Sequence, residues 1–316
     1  MARVLATDII PPRPVDSLIF DVDGVLWDTT ASYDPAIVQT IDLLAGHMGR
    51  DDLSGQVGAS DLRAMRLAGG LNSDWDLTYV VLVALLTGWK DLGAAAAATH
   101  GRGRAWAEEQ RGFGANLEFE LLRYWFDLVY WGSERIGGVL DTPPVHGTDL
   151  PGTWHAERPL VTASLLDCLR HLGIDAMGIA TGRPLIELQT VLDNGPLLDY
   201  IDFDCMCRGD ILTKPDPAVV SWCVDRMRSR LPAQRGRELT ILYSGDTRDD
   251  LDLVLNYDRW DAREPSEALW IGAVSVVPES EFGLFLEAGA AACIDHISEL
   301  PAVVQEFQVR TGTRHE

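Results

Sequence analysis

From residue 160 onward, two hydrophobic patterns alternate along the chain. Stretches with apolar residues at helical spacing are separated by short continuous apolar runs. The spacing predicts helices over 160–172, 185–193, 217–230 and 248–256, with a short one near 280–287. Strand-like runs fall at 174–180, 239–244, 268–273 and 291–294. Pro184 is placed to open the second of these helices, and Asn194-Gly195 to close it. A further buried-strand run, Leu18-Ile19-Phe20, lies far upstream and stops at Asp21. Strands alternating with helices predict an α/β fold, a doubly wound parallel (Rossmann-like) sheet, with ligands at the carboxyl ends of its strands.

Residues 29–158 follow another rule. Their apolar spacing predicts helices over 35–48, 61–68, 77–86 and 117–131, and strand-like alternation is nearly absent. Six of the ten tryptophans lie here. The stretch GAAAAATHGRGR (93–104) reads as a surface linker or frayed helix, and 141–152 as a loop. A crossover between parallel strands needs only about a dozen residues. The economical organisation is therefore a catalytic α/β core of 1–28 and 159–316, with 1–14 as a surface tail. A mostly helical cap, 29–158, is inserted after the first strand, with hinges near Asp28 and Leu160, where it can act as a lid.

Composition narrows the class. A formal charge of −22 argues against nucleic acid and anionic membranes as partners, while leaving room for a small anionic substrate near local cations. No run approaches the ~20 apolar residues of a membrane helix. The N-terminal run is too short and too proline-rich for a signal peptide. Five scattered cysteines suggest a reduced, cytoplasmic protein. Cys205-Met206-Cys207 lacks a second Cys/His pair at zinc-site spacing and reads as buried thiols.

The chemistry concentrates where strands end. SLIFDVDGVLWD presents Asp21 and Asp23, and Gly24 falls at the wrong position for a calcium loop of the EF-hand type. The next strand delivers Thr181-Gly182-Arg183. Lys214, one of only two lysines among 26 basic residues, stands in ILTKPDP. The strand at 239–244 leads into Gly245-Asp246-Thr247-Arg248-Asp249-Asp250. Each piece has an ordinary reading as an acidic turn, a helix cap, a solvated lysine or a dipole-matched helix start. Together they fit one reaction. Asp21 and Asp246 can hold Mg²⁺ through oxygen, and Asp21 can attack phosphorus. Lys214, Thr181 and the Gly182 amide can neutralise phosphoryl oxygens, while Asp23 serves the leaving alcohol and then water.

DVDGVLWDT, ATGRP, the lysine of TKPDP and SGDTRDD resemble, in order, the four motifs of the haloacid dehalogenase superfamily, and they cover the whole α/β core. The second aspartate resembles the phosphatase and phosphotransferase branch, and the site of the insertion resembles members with a helical cap. The resemblance implies Asp21 as nucleophile and Asp23 as general acid/base, the latter also giving a backbone carbonyl to Mg²⁺. It implies Thr181 and Lys214 at the phosphate and Asp246 on the metal. Asp250 would support the metal directly or through water, with Asp249 as a less favoured substitute. Gly245 stands where phosphomutases of the superfamily often carry an acid, which leans toward hydrolysis.

In the cap, the segment 69–76 resembles a stretch of certain capped phosphatases. Asn72 and Trp75 there can contact a polyhydroxylated substrate, although a buried turn tryptophan is the alternative. Arg183 and Arg63 are candidate anion contacts, with a surface ion pair the ordinary fate of Arg63. The expectation is a cytoplasmic, Mg²⁺-dependent phosphomonoester hydrolase, monomeric or homodimeric, acting on a small phosphorylated metabolite such as a sugar phosphate. The alternatives are a phosphomutase of the same superfamily and a non-catalytic protein that binds phosphorylated metabolites.

Overall fold

The computed structural model describes residues 3–6, 8–71, 73–111, 117–140, 149–231, 238–260 and 268–312. Its contacts divide the chain into two compact units, Met1–Asp28 with Pro159–Glu316, and Thr29–Arg158. Asn72 and most of the 141–152 loop lie outside the described residues.

The inserted unit is helical: α1 (Tyr33–His47), α2 (Ala59–Leu67), α3 (Asp74–Leu86), α4 (Leu92–Thr99), α5 (Arg104–Arg111), α6 (Phe119–Trp131) and α7 (Ile136–Leu140). Every residue of α3 from Leu77 to Leu85 is buried, as expected of a helix apolar on all sides. Around it pack α1 and α6, whose Tyr33 and Tyr130 rings stack with centroids 4.9 Å apart. The alanine run read as linker or frayed helix is α4. Asp91 caps it by accepting the Ala94 N–H at 3.0 Å, and Ala95, Ala96 and Thr99 are buried. Alanine's helix propensity plus one cap suffices there.

Trp75, on α3, donates its indole N–H to Asp127 Oδ1 at 2.7 Å, and the Arg123 guanidinium lies 4.3 Å from its ring centroid. Burial pushes the Asp127 pKa up to about 6, against the opposing pull of the Trp75 hydrogen bond and of Arg123. A carboxyl whose folded pKa exceeds its unfolded value stabilises below the unfolded value and loses that stability as pH rises through the folded one. Asp127→Asn keeps an acceptor for Trp75 and removes the charge. Its melting temperature should therefore exceed that of wild type at pH 7.5, by the equivalent of about 1–3 kcal/mol. The gain should shrink as pH falls from 6 toward 4. A difference independent of pH would contradict this.

The other unit is built on strands β1 (Arg3–Leu5), β2 (Ser17–Phe20), β3 (Trp27–Asp28), β4 (Arg158–Pro159), β5 (Ala176–Ala180), β6 (Met206–Cys207), β7 (Leu239–Gly245), β8 (Ala268–Val276) and β9 (Ala292–Ile294). Seven of them form one sheet in the order β1-β9-β8-β7-β2-β5-β6, while β3 and β4 pair separately. All pairings in the large sheet are parallel except β1 with β9. Its helices are α8 (Ala163–His171), α9 (Leu185–Asn194), α10 (Ala218–Arg230), α11 (Arg248–Asp258), α12 (Phe282–Glu287) and α13 (Leu300–Gly312). The fold is thus the doubly wound α/β sheet, and no described helix is long and apolar enough to cross a membrane.

Part of the expected surface tail is structured. Residues 3–5 form the edge strand β1, held by the β9 ladder, an Arg3–Glu299 ion pair at 2.9 Å, and Arg310 Nη1 donating to the Ala6 carbonyl at 2.7 Å. β6, within the segment read only as buried thiols, and α13 were not foreseen from the pattern. In the centre, β2 is buried along its whole length between β5 and β7. Phe20 is level with Ile179 on one side and Ser244 on the other. Asp21, Thr181 and Gly245-Asp246 accordingly leave the same edge of the sheet.

Candidate active site

Asp21 is the first residue past β2, and its N–H donates to the Ser244 carbonyl at 2.8 Å, which ties it to the end of β7. Its own Oδ1 accepts the Val22 N–H at 2.8 Å. The chain then turns tightly, the Val22 carbonyl taking the Leu26 and Trp27 N–H groups at 2.8 and 2.9 Å. Gly24 sits in this turn at φ 70°, and a Cβ there would lie 2.4 Å from Asp246 Oδ2. Only glycine allows both the left-handed backbone and the close approach of Asp246.

Lys214 is the buried cation of the site. Its Nζ lies 2.9 Å from Asp21 Oδ1 and 2.7 Å from Asp250 Oδ1, and the three side chains are 2%, 5% and 3% exposed. Burial works to lower the lysine pKa, but Asp21 and Asp250 outweigh it and keep the ammonium protonated. Burial works to raise that of Asp250, where Lys214, Thr247 and Tyr243 prevail and hold the carboxyl below its usual range. Asp21 goes the other way. Burial pushes its pKa well up, Lys214 opposes, and Asp250, Asp23 and Asp246 add to the rise.

Asp250 is a hub. Its Oδ1 also accepts the Tyr243 hydroxyl at 2.7 Å, and its Oδ2 accepts the Thr247 hydroxyl and N–H at 2.6 and 3.1 Å. The Thr247 oxygen in turn accepts the Asp250 N–H, a capping box that starts α11. This box accounts locally for the GDTRDD run. A Cβ at Gly245 would lie 2.3 Å from the Asp250 Cβ, so no side chain fits that position without displacing Asp250.

Oxygens of Asp21, Asp246 and Asp250 all lie within 4.8 Å of one another. A set of hard carboxylate donors in which burial disfavours ionised Asp21 is what a divalent cation such as Mg²⁺ complements. Asp249 is also buried, on the first turn of α11.

Thr181 is buried, and its hydroxyl oxygen accepts the Arg183 N–H at 3.1 Å. Its own N–H donates to the Cys207 carbonyl at 2.9 Å, which anchors the turn to β6, while Gly182 is exposed. Arg183, expected as an anion contact, is 1% exposed and turned onto Asp23, with Nε and Nη2 at 2.8 and 2.7 Å from its Oδ1. Arg63 lies half-buried on α2. The Tyr243 link to Asp250 and the Arg183–Asp23 pair were not anticipated. A lone tyrosine three residues ahead of Asp246, in an otherwise apolar strand, was the available signal for the first.

No protein-family model matches the chain. An imidazoleglycerol-phosphate dehydratase from Phytophthora nicotianae is 37% identical over 75 residues, which amount to 24% of this chain and only 15% of that protein. Among solved structures, phosphatase Tt82 from Thermococcus thioreducens superposes with a TM-score of 0.53 at 25% identity, over 82% of this chain and 92% of that one. A HAD hydrolase of family IA, variant 3, from Entamoeba histolytica gives a TM-score of 0.51 at 12% identity, over 94% and 100% of the two chains. At that identity the second likeness is one of fold.

Proposed function

We propose, for a chain that belongs by its fold to the haloacid dehalogenase superfamily, the hydrolysis of a small organic phosphate monoester through a phosphorylated Asp21. The observation that carries this reading is the buried Lys214 seated 2.9 Å from Asp21, within the acidic cluster that includes Asp246. The likeness to a named phosphatase supports the same class.

An Asp21 carboxylate oxygen bonds to phosphorus as the ester P–O bond breaks, and the departing alcohol oxygen takes a proton from Asp23. Asp23 then accepts a proton from the water that attacks phosphorus. The bond to Asp21 breaks, and inorganic phosphate leaves. Lys214, the Thr181 hydroxyl and the Gly182 amide hold the phosphoryl oxygens. Mg²⁺ would be held by Asp21 and Asp246, with the Asp23 carbonyl and Asp250 in support. When bound, it offsets the negative charge gathered at the phosphoryl group. The absence of room for an acid at position 245 favours hydrolysis over mutase chemistry.

The substrate class we place first is a sugar phosphate. The compartment is the cytoplasm, in keeping with the free cysteines Cys168, Cys205, Cys207, Cys223 and Cys293.

The test is phosphate release from a panel of small phosphomonoesters, with Mg²⁺ and with a chelator. Release should fall to background in chelator and return when Mg²⁺ is restored. Release unaffected by chelator would remove the metal from the reading, and none across a broad panel would remove the hydrolase.

A further inference from the structure

Arg183 and Asp23 are 160 positions apart in sequence, yet they form an ion pair across two strand ends, buried on the arginine side and partly exposed on the aspartate side. The guanidinium spends two N–H groups on a single carboxylate oxygen, Oδ1. Asp23 Oδ2 takes no hydrogen bond from the described residues, and the Asp23 side chain is 30% exposed. The arginine is itself pinned on several sides. Its N–H donates to the Thr181 hydroxyl at 3.1 Å, its carbonyl accepts the Gly209 N–H at 3.1 Å, and Nη1 lies 3.4 Å from the Glu187 carbonyl. One side chain thus connects the turn that carries Thr181 to the turn that carries Asp23.

Burying a guanidinium is costly, and a buried ion pair adds little net stability over apolar packing of the same volume. What this pair supplies is direction. An aspartate one residue before a left-handed glycine has little else to hold its carboxylate. Arginine suits the task because it stays charged at any working pH and its planar fork fixes the angle of approach as well as the distance.

We propose that Arg183 is a positioning residue for proton transfer, resting on the phosphatase reading above. By holding Asp23 Oδ1, it aims Oδ2 at the leaving oxygen of a substrate whose phosphoryl group is seated at Thr181. Asp23 Oδ2 gives its proton to that oxygen as the P–O bond breaks. With 1% exposure, Arg183 does not itself touch the substrate.

The leaving group tests this. 4-Nitrophenolate departs without a proton, whereas an alkoxide such as that of glycerol 3-phosphate needs one. kcat/KM reports the steps through departure of the alcohol, so it isolates the proton-donation half. Arg183→Met should lower kcat/KM for glycerol 3-phosphate by about 10²-fold or more, the range for a positioned general acid. The loss on 4-nitrophenyl phosphate should be less than about threefold. Asp23→Asn should show the same asymmetry, and Arg183→Lys should fall between Arg183→Met and wild type.

Equal losses on both esters, or no loss on either, would overturn the assignment. If Arg183→Met does not fold, as judged by its melting curve, the same comparison is made with Arg183→Lys and Arg183→Gln, on the same criterion. Where wild type hydrolyses neither ester, the best aryl and alkyl esters of the phosphomonoester panel take their places; if it hydrolyses none across that panel, or Asp21→Asn is as active as wild type, the phosphatase reading fails and takes this proposal with it. If those two behave as proposed while the arginine variants lose both esters equally, only the role of Arg183 falls.

Discussion

Asp21→Asn should lose about 10⁴-fold or more of phosphate release while melting no lower than wild type at neutral pH. The two halves of this expectation have separate causes. Asparagine matches the shape of aspartate but cannot attack phosphorus, and two of the neighbouring carboxylates are already engaged. Asp23 is turned onto Arg183, and Asp250 is committed to Lys214, Tyr243 and Thr247. The amide oxygen can still accept from the Val22 N–H and from Lys214, which lie 2.8 and 2.9 Å from Asp21 Oδ1. Burial and three nearby carboxylates already disfavour ionised Asp21, so removing its charge relieves repulsion as much as it forfeits attraction to Lys214. Turnover and thermal melting measured on one preparation decide the matter. Residual activity within tenfold of wild type would mean that Asp21 is not the nucleophile.

Lys214→Met should do the opposite to stability. It leaves Asp21 and Asp250 buried at 5% and 3% exposure without the cation between them. Removing one partner of a buried ion pair costs about 3–5 kcal/mol, against about 0–1 for a surface pair. Activity should fall by about 10³-fold as well, through loss of a fixed charge at the phosphoryl oxygens. The pH dependence has a definite sign. In wild type, Asp250 is held below its usual range, so its contribution is present at neutral pH and is lost as pH falls through that depressed value. Without Lys214 the carboxyl titrates higher, so the penalty of the variant should be largest at neutral pH and shrink on acidification. Denaturant midpoints at pH 7.5 and pH 5 measure this. A variant as stable as wild type at both would show that Lys214 does not hold the cluster together.

Both substitutions fall on residues whose type and spacing are evident in the chain. β2, β5 and β7 are long enough, or apolar enough, for their carboxyl ends to be located, and the acids, Thr181 and Lys214 stand just past strand or turn boundaries. The elements that escaped are short or ordinary. β1 is three residues with two of them exposed, and β6 is two residues inside a cysteine-rich segment. α4 hid as an alanine run because the cap that starts it, Asp91, was not recognised as one. Arg183 illustrates a different limit. Its position after Thr181-Gly182 suggests a phosphate contact, but a side chain fully inside the protein answers to whatever charge is packed beside it. That neighbour, Asp23, is 160 positions away along the chain.

The central place of β2 also sets an order of events during synthesis. β2 is made early, yet its two partners, β5 and β7, begin at Ala176 and Leu239. At about 5–20 residues per second, a ribosome takes on the order of 10–30 s to travel from β2 to β5. In that interval SLIF is a bare apolar segment with no ladder to join. The helical unit between them has a core of its own, and all of its residues are made before β5. β2, with Asp21 at its end, therefore emerges ahead of both its neighbours in the sheet, and it waits for them while the helical unit synthesised in between can already have folded.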